Sequence, residues 1–394
     1  MDISKFRNDT PGCNNVTHFN NAGCSLHTQQ VLDAINNYLH LEATIGGYET
    51  AALKANEINS FYDAVSQLLK CKSSNIAFAH SATDGYAKAI SSIPFSRGDV
   101  ILTTDNDYVS NQIQFISLQK RIGIKIIMAA NLLSGEVDPD SIEENIRKHH
   151  PKLVAVTHVP PNSGMIQPVE QIGEICKTHD ILYLVDACQS AGQLDVDINK
   201  IHCDFLSAAM RKFMRGPRGT GFLFVSDKVL EMQLEPMFID MRGADWTEEN
   251  NYQPLPDAKR FEYVELSYAL LMGATIAITY ALNVGLKNIA ERNLQLCDHA
   301  RNQLLTIPGL KLLDKGSVKS SIITIHVENI NSISLRDELI KRKINTGAAG
   351  KKFAFIDFTQ KGVDHALRIS PHYYNTFEEI DVVVEAIKEI ISKY

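Results

Sequence analysis

Between Asn75 and Ser226 the chain alternates short apolar, β-branched runs with amphipathic stretches. "NIAFAH", "DVILTTD", "IKIIMAA", "LVAVTHV" and "ILYLVDA" have the length and composition of buried strands. "GYAKAISSI", "SNQIQFISLQKR", "SIEENIRKHH" and "VEQIGEICKTH" separate them with helical periodicity. Continuous apolar runs alternating with helices define an α/β layered fold around a mostly parallel sheet. "DFLSAAM" and "GFLFVS" extend that sheet on either side of a cationic turn that carries Arg211, Lys212, Arg215 and Arg218. Near Arg260 the rhythm changes. A long helical run beginning at "SYALLMGATIAITYALNVGLKNIAERNLQL" precedes "SSIITIHVEN", "SLRDELIKRK", "HALRISPHYY" and a closing helix "TFEEIDVVVEAIKEIISKY". Fewer strands mixed with helices predict a smaller α+β unit. The expected organisation is a large α/β domain over residues 18-260 and a small domain from residues 1-17 and 261-394.

Bulk properties narrow the function classes. A net charge of -7 gives no electrostatic case for nucleic acid. No apolar run reaches the length of a membrane span. The polar start "MDISKFRNDTPGC" lacks the apolar core of an export signal, so a cytoplasmic location is expected. Seven cysteines without a CxxC pair favour reduced thiols over disulfides or a zinc site. No metal site is expected, and the sequon at Asn15 carries no weight.

In open α/β sheets ligands gather beyond the carboxyl ends of the strands. There the sequence places "SATDG" opening a helix, Tyr108 in "NDYVSN", Asn162 in "PPNSG", Asp186 and Gln189 in "DACQSAG", and Arg211 beside Lys212. A helix-opening turn suits a phosphate, through free N–H groups and the helix dipole. Each residue alone has a structural explanation of equal weight: a strand end, a helix cap, packing, a glycine turn. Together they describe a phosphorylated, planar, nitrogen-containing aromatic ligand.

"LVDACQSAG", with Lys212 twenty-six residues after Asp186 and then "GPRGTGFLF", resembles the fold-type I, class V aminotransferase family. These are pyridoxal 5'-phosphate (PLP) enzymes that include cysteine desulfurases, cysteine C–S lyases and isopenicillin-N-epimerase-like proteins. The likeness runs from "FNNAGCSLH" at Phe19 to "RISPHYYNTFEEID". "GGYE", "RKFMRGPRGTGF" and "SPHYYNT" are most similar to a subgroup with C–S lyases, among them ergothioneine-pathway sulfoxide lyases.

The resemblance implies a role for each matching residue. Lys212 is the lysine that forms the Schiff base with the cofactor aldehyde, which only an amine can do. Asp186 pairs with the pyridinium nitrogen, Gln189 lies near the phenolic oxygen, and Tyr108 falls where the family has a stacking histidine. Ala82 and Thr83 match the phosphate-cradling turn, and Arg211 stands where many relatives place a phosphate-binding histidine. Asn162 is shifted by one from the desulfurase pattern, and Ala209 replaces a usual serine or threonine. Arg368 matches the arginine that grips the substrate α-carboxylate. Asn21 and Tyr48 are further substrate-binding candidates, although packing explains Tyr48, His372 and Tyr373 equally well. A homodimer is implied, with "IGGYE" and "ELSYA" as candidates for reaching the partner's site.

Desulfurases take sulfur on a cysteine of the small domain, yet no cysteine follows Cys297 here. The corresponding segment reads "NTGAAGKKFAFIDFTQKG". Cys24 is a conceivable substitute, and a structural thiol is the simpler reading. The expectation is therefore β-elimination on an S-substituted cysteine or cysteine sulfoxide, giving pyruvate, ammonia and a thiol-type product. Transamination, epimerisation and a non-catalytic scaffold are the alternatives; keeping both Lys212 and Asp186 argues against the last.

Overall fold

The computed structural model describes residues 1–393. A short helix α1 (Ile3–Asn8) leads to a two-residue strand β1 (Thr17–His18), and helices α2 (Gln29–Ile45), α3 (Gly47–Leu53) and α4 (Ala55–Leu69) follow. The alternating region then forms β2 (Ile76–Ala79), α5 (Ala82–Ser92), β3 (Val100–Thr103), α6 (Val109–Ile122), β4 (Lys125–Met128) and α7 (Pro139–His149). It continues through β5 (Leu153–Thr157), α8 (Val169–Thr178), β6 (Leu182–Asp186), α9 (Ile198–Ile201), β7 (Phe205–Ala209) and β8 (Gly221–Val225).

Strands β2 to β8 make one seven-stranded sheet in the order β2-β8-β7-β6-β5-β3-β4. Neighbours are parallel except that β8 runs antiparallel to both β2 and β7. The mostly parallel α/β architecture expected from the sequence is thus present. Every residue of β5 and β6 is buried because helices cover both faces. Alternate residues feed different cores: Tyr183 and Val185 pack on one side of β6, Leu182 and Leu184 on the other. Burying each such Val or Leu side chain contributes about 1.5–3 kcal/mol. Strand order reverses at β3, which has β4 on one side and β5 on the other. A crevice opens at such a point, beyond the carboxyl ends.

After β8 come α10 (Asp227–Glu231), a hairpin of β9 (Ala244–Glu248) and β10 (Asn251–Pro254), and α11 (Tyr268–Val284). The hairpin has no counterpart in the sequence reading, because its strands are short and almost wholly exposed. The long helical run from Ser267 is two helices, α11 and α12 (Leu286–Leu304), bent by 78°. Gly285 at the break has φ +88°, a conformation that costs other residues a steric penalty. Helix α11 packs on α2 and α4 and buries Leu271, Ala274, Ile278 and Ala281 in the first core. It therefore sits with the large sheet, whereas the sequence rhythm grouped it with the second unit. No single helix among the described residues is long and apolar enough to cross a membrane.

The remaining elements are β11 (Leu310–Leu312), β12 (Ile323–Val327), α13 (Ser332–Lys341), β13 (Ile344–Asn345), β14 (Gly347–Gly350), α14 (Phe355–Lys361), β15 (His365–Ile369) and α15 (Phe377–Ile391), which form a second unit around its own core, with Phe358 of α14 in a smaller cluster beside it. Its antiparallel sheet has the order β11-β12-β15-β14. A capping box between Thr376 and Glu379 starts α15, and Glu379 also pairs with Arg7 at 2.8 Å. The amino-terminal segment laces the two cores together. Strand β1 pairs in parallel with β13, Phe19 enters the second core, Asn20 bridges to Ser370, and the Ser25 N–H donates to the Arg211 carbonyl at 2.9 Å.

Candidate active site

The reversal point brings the chemistry-bearing residues to one edge. Tyr108 precedes the first turn of α6, Asp186 ends β6, and Lys212 stands three residues after β7. Asp186 is buried; its Oδ2 accepts from Asn111 Nδ2 at 3.0 Å and its Oδ1 from the Cys188 N–H at 2.9 Å. Lys212 is also buried, with Nζ 5.6 Å from the centroid of the Tyr108 ring. Burial lowers the Lys212 pKa, Cys188 and Asp186 oppose the shift, and Arg211 and Arg368 add to it. A buried amine flanked by two guanidinium groups is more readily held neutral, as a nucleophile or base requires.

The turn bearing Lys212 is held from several directions. Arg215 (φ +60°) donates to the Leu26 carbonyl at 2.9 Å, Tyr373 Oη at 2.7 Å and Thr10 Oγ1 at 2.5 Å. Its guanidinium also lies 4.5 Å from the Tyr374 ring centroid. The cationic cluster is thus divided: Arg215 is bound into the scaffold, while the buried Lys212 approaches the Tyr108 ring. Gly192 (φ +89°) lies against the same turn, where a Cβ would come within 2.5 Å of the Phe213 carbonyl carbon and Met214 nitrogen. His372 and Tyr373 belong to this scaffold, since His372 Nε2 meets the Phe213 carbonyl at 2.9 Å.

Opposite Lys212, Arg368 projects from β15. Its Nη1 donates to the Pro161 carbonyl at 3.1 Å and its Nη2 to Asn20 Oδ1 at 3.5 Å, while its buried Nε has no hydrogen-bond partner among the described residues. Burial, with Arg211 nearby, pulls its pKa down to about 10. Two other buried acceptors, Asn162 Oδ1 and Gln189 Oε1, likewise have no hydrogen-bond partner among the described residues, although Gln189 Nε2 is fixed by the Ala22 carbonyl at 3.0 Å. Ala82 and Thr83 open α5, whose N-cap Ser81 accepts from the Asp84 N–H at 3.1 Å. Their own N–H groups belong to the first turn, which has no intrahelical acceptors. Ala209 packs with Ala82 and Cys188, so the missing hydroxyl is replaced by a small apolar contact.

Three assignments change. Asn21 is consumed internally: Nδ2 donates to the Ser370 carbonyl at 2.8 Å and Oδ1 accepts from Tyr374 Oη at 2.6 Å. Its neighbour Asn20 is the one beside Arg368. Tyr48 is 92% exposed on α3, a surface position rather than a crevice wall within this chain. Arg211 turns its Nη1 to the Gly23 carbonyl, toward the amino-terminal segment rather than α5. The sequence reading also missed a buried group beneath Tyr108: Asp107, Asn111 and Thr157. The signal was present as Asp107 just ahead of the start of α6 and Asn111 in its first turn, where a carboxylate can accept from free first-turn N–H and amide groups.

An amine that burial biases toward neutrality, a fixed carboxylate, an aromatic plane and a helix amino terminus together define a site for a pyridoxal-phosphate-type cofactor. The unpartnered acceptors Asn162 Oδ1 and Gln189 Oε1 and the unpartnered donor Arg368 Nε fit such a group and its amino-acid substrate. The class-V aminotransferase family model matches residues 17–383, and the chain belongs to that family. It is accordingly an enzyme whose cofactor is PLP. A probable cysteine desulfurase of Borreliella burgdorferi is 28% identical, over 96% of this chain and 92% of its own. A probable hercynylcysteine sulfoxide lyase of Mycobacterium tuberculosis is 26% identical, over 94% and 89%. Among solved structures, the apo cysteine desulfurase of Thermococcus onnurineus NA1 matches with TM-score 0.92 at 24% identity, covering 99% of this chain and 98% of that one. A cystine C–S lyase in complex with its product cysteine persulfide matches with TM-score 0.86 at 20% identity, over 96% and 99%.

Proposed function

We propose that this enzyme is a C–S lyase that performs β-elimination on an S-substituted cysteine or a cysteine sulfoxide, releasing pyruvate, ammonia and the sulfur fragment, a thiol from the former and a sulfenic acid from the latter. The observation that carries the choice is the lack of any cysteine after Cys297. The 347–361 segment, where a sulfur relay would need its thiol, is β14 and α14 with Lys351, Lys352 and Phe353 between them. Cys297 itself is buried in the second core against Ser321.

When bound, the cofactor supplies an electron sink for the carbanion at the substrate Cα. Lys212 takes the Cα proton on Nζ, helped by the burial that favours its neutral form. Asp186, held by Asn111 and the Cys188 N–H, keeps a proton on the ring nitrogen. Tyr108 would cover one face of the ring, the Ala82 and Thr83 N–H groups would hold the phosphate, and the unpartnered amide oxygens of Gln189 and Asn162 would be available to the ring substituents or the substrate. Arg368 grips the α-carboxylate and so aims the Cα–H at Lys212. The pair freed from Cα–H forms the Cα–Cβ double bond as the Cβ–S bond breaks and its own pair leaves on sulfur, and one water then converts the released enamine to pyruvate and ammonia.

The test is a pyruvate assay on the cofactor-loaded enzyme with S-alkylcysteines and their sulfoxides. Pyruvate without alanine supports elimination. Alanine with persulfide, or amino-group transfer to a keto acid, would refute it. Lys212→Ala should abolish turnover, and undiminished activity in that variant would sink the assignment. We also propose a homodimer, supported by the exposure of Tyr48, Phe238, Met241 and Trp246; sedimentation as a monomer at micromolar concentration would overturn it. Seven free cysteines support a reducing, cytoplasmic setting.

A further inference from the structure

We propose that Asp107 is a positioning residue for the cofactor: one buried carboxylate fixes Tyr108 over the ring face and, through Asn111, Asp186 at the ring nitrogen. The inference rests on the pyridoxal-phosphate reading of the site and goes beyond the residues assigned above.

Four donors converge on this carboxylate. Asp107 Oδ1 accepts from the Tyr108 N–H at 2.6 Å, from Asn111 Nδ2 at 3.1 Å and from the Thr157 hydroxyl. Asp107 Oδ2 accepts from Thr103 Oγ1 at 3.1 Å. Asn111 Nδ2 also lies 3.0 Å from Asp186 Oδ2, so its two N–H bonds can bridge both carboxylates. Thr157 and Asp186 are register partners across β5 and β6, and Thr103 ends β3. The group therefore ties three strands to the first turn of α6, around the reversal point where the crevice opens.

The chemistry selects a carboxylate. Only an ionised Asp or Glu presents acceptors alone, and every partner here is a donor. An asparagine would turn an N–H toward one of these donors and break the network there. The ionisable groups facing Asp107 are Asp186 and Tyr86, whose buried hydroxyl has no hydrogen-bond partner among the described residues. Burial foremost, with Asp186 adding to it, pushes the Asp107 pKa up to about 6. Above that pH a second negative charge stands behind Asp186 and strengthens its hold on the ring-nitrogen proton.

The experiment compares cofactor-loaded wild type, D107N, T157V and T157S by visible absorption against pH and by the rate of cofactor release on dilution. Far-UV circular dichroism and melting serve as folding controls. D107N should move the chromophore's pH midpoint down by about 0.5–1 unit, since it removes a nearby negative charge. Its cofactor should leave roughly tenfold faster, as expected for one lost charge-assisted hydrogen bond. T157V should move both readouts the same way, and T157S should match wild type. Should D107N fail to fold, T157V decides. Unchanged midpoint and release rate in either folded variant overturn the inference alone. A wild type without a chromophore after loading overturns the cofactor reading and this inference with it.

Discussion

Arg368 offers the sharpest test of how substrate is held. Its guanidinium is half-buried, anchored by Pro161 and Asn20, and repelled by Arg211. An incoming α-carboxylate meets a cation whose Nε has no other hydrogen-bond partner among the described residues. Each charge-assisted hydrogen bond contributes about 1.5–3 kcal/mol, so a bidentate grip contributes about 3–6 kcal/mol. That corresponds to a factor of roughly 100 to 10,000 in affinity. R368A should lose that factor, and R368K, which keeps the charge but not the fork, roughly 10 to 100. The assay is the dissociation constant, read from the visible spectrum, of an S-alkylcysteine analogue that resists elimination and of its decarboxylated amine. R368A should weaken the amino acid by the full factor and leave the amine within about threefold. Equal losses for the two ligands would refute the reasoning, because the arginine would then be supporting the crevice rather than reading a carboxylate.

Other consequences are open to measurement. Gly192→Ala puts a methyl group within 2.5 Å of the backbone after Lys212, at a φ of +89°; denaturant melts should show a loss of about 2–4 kcal/mol, with weakened cofactor retention. His158 is buried, and burial lowers its pKa to about 4. A depressed folded-state value means full stability above the unfolded pKa of about 6.5, lost as pH falls toward 4 at about 1.4 kcal/mol per unit. The difference in stability between wild type and His158→Phe should therefore narrow or reverse over that window, and a pH-independent difference would count against it. Cys24→Ser should keep pyruvate release within about twofold; a tenfold loss would return sulfur relay through Cys24 to consideration.

What the sequence revealed follows from how each signal is encoded. Buried central strands write themselves as continuous apolar runs, so β5, β6 and β7 were plainly legible and the exposed edge strand β4 was legible only through its β-branched residues, and Asp186 and Lys212 came with the strand ends. The Arg368 assignment depended on family likeness, because nothing local says that β15 faces the crevice across two cores. Asn21 and Asn20 are adjacent and chemically identical; only the long-range partners Ser370 and Tyr374 decide which is consumed. Asp107 escaped notice because its role depends on Thr157, fifty residues away, and on Asp186, a further twenty-nine. The β9–β10 hairpin gave no core signal, since it is short and neither of its faces is buried within the chain.

The lacing of Thr17–His18 onto Ile344–Asn345, and of Asn20 onto Ser370, has a consequence for biosynthesis. The amino-terminal segment leaves the ribosome first, yet its partners are made last. At about 5–20 residues per second it waits on the order of 20–70 seconds for them. Throughout that interval the large sheet has all its strands only after Val225 emerges, while Arg368 does not yet exist. Lys212 is thus made well before Arg368, so on the proposed reading the chain holds its amine before the group that would grip a carboxylate, and substrate discrimination would be the last property gained.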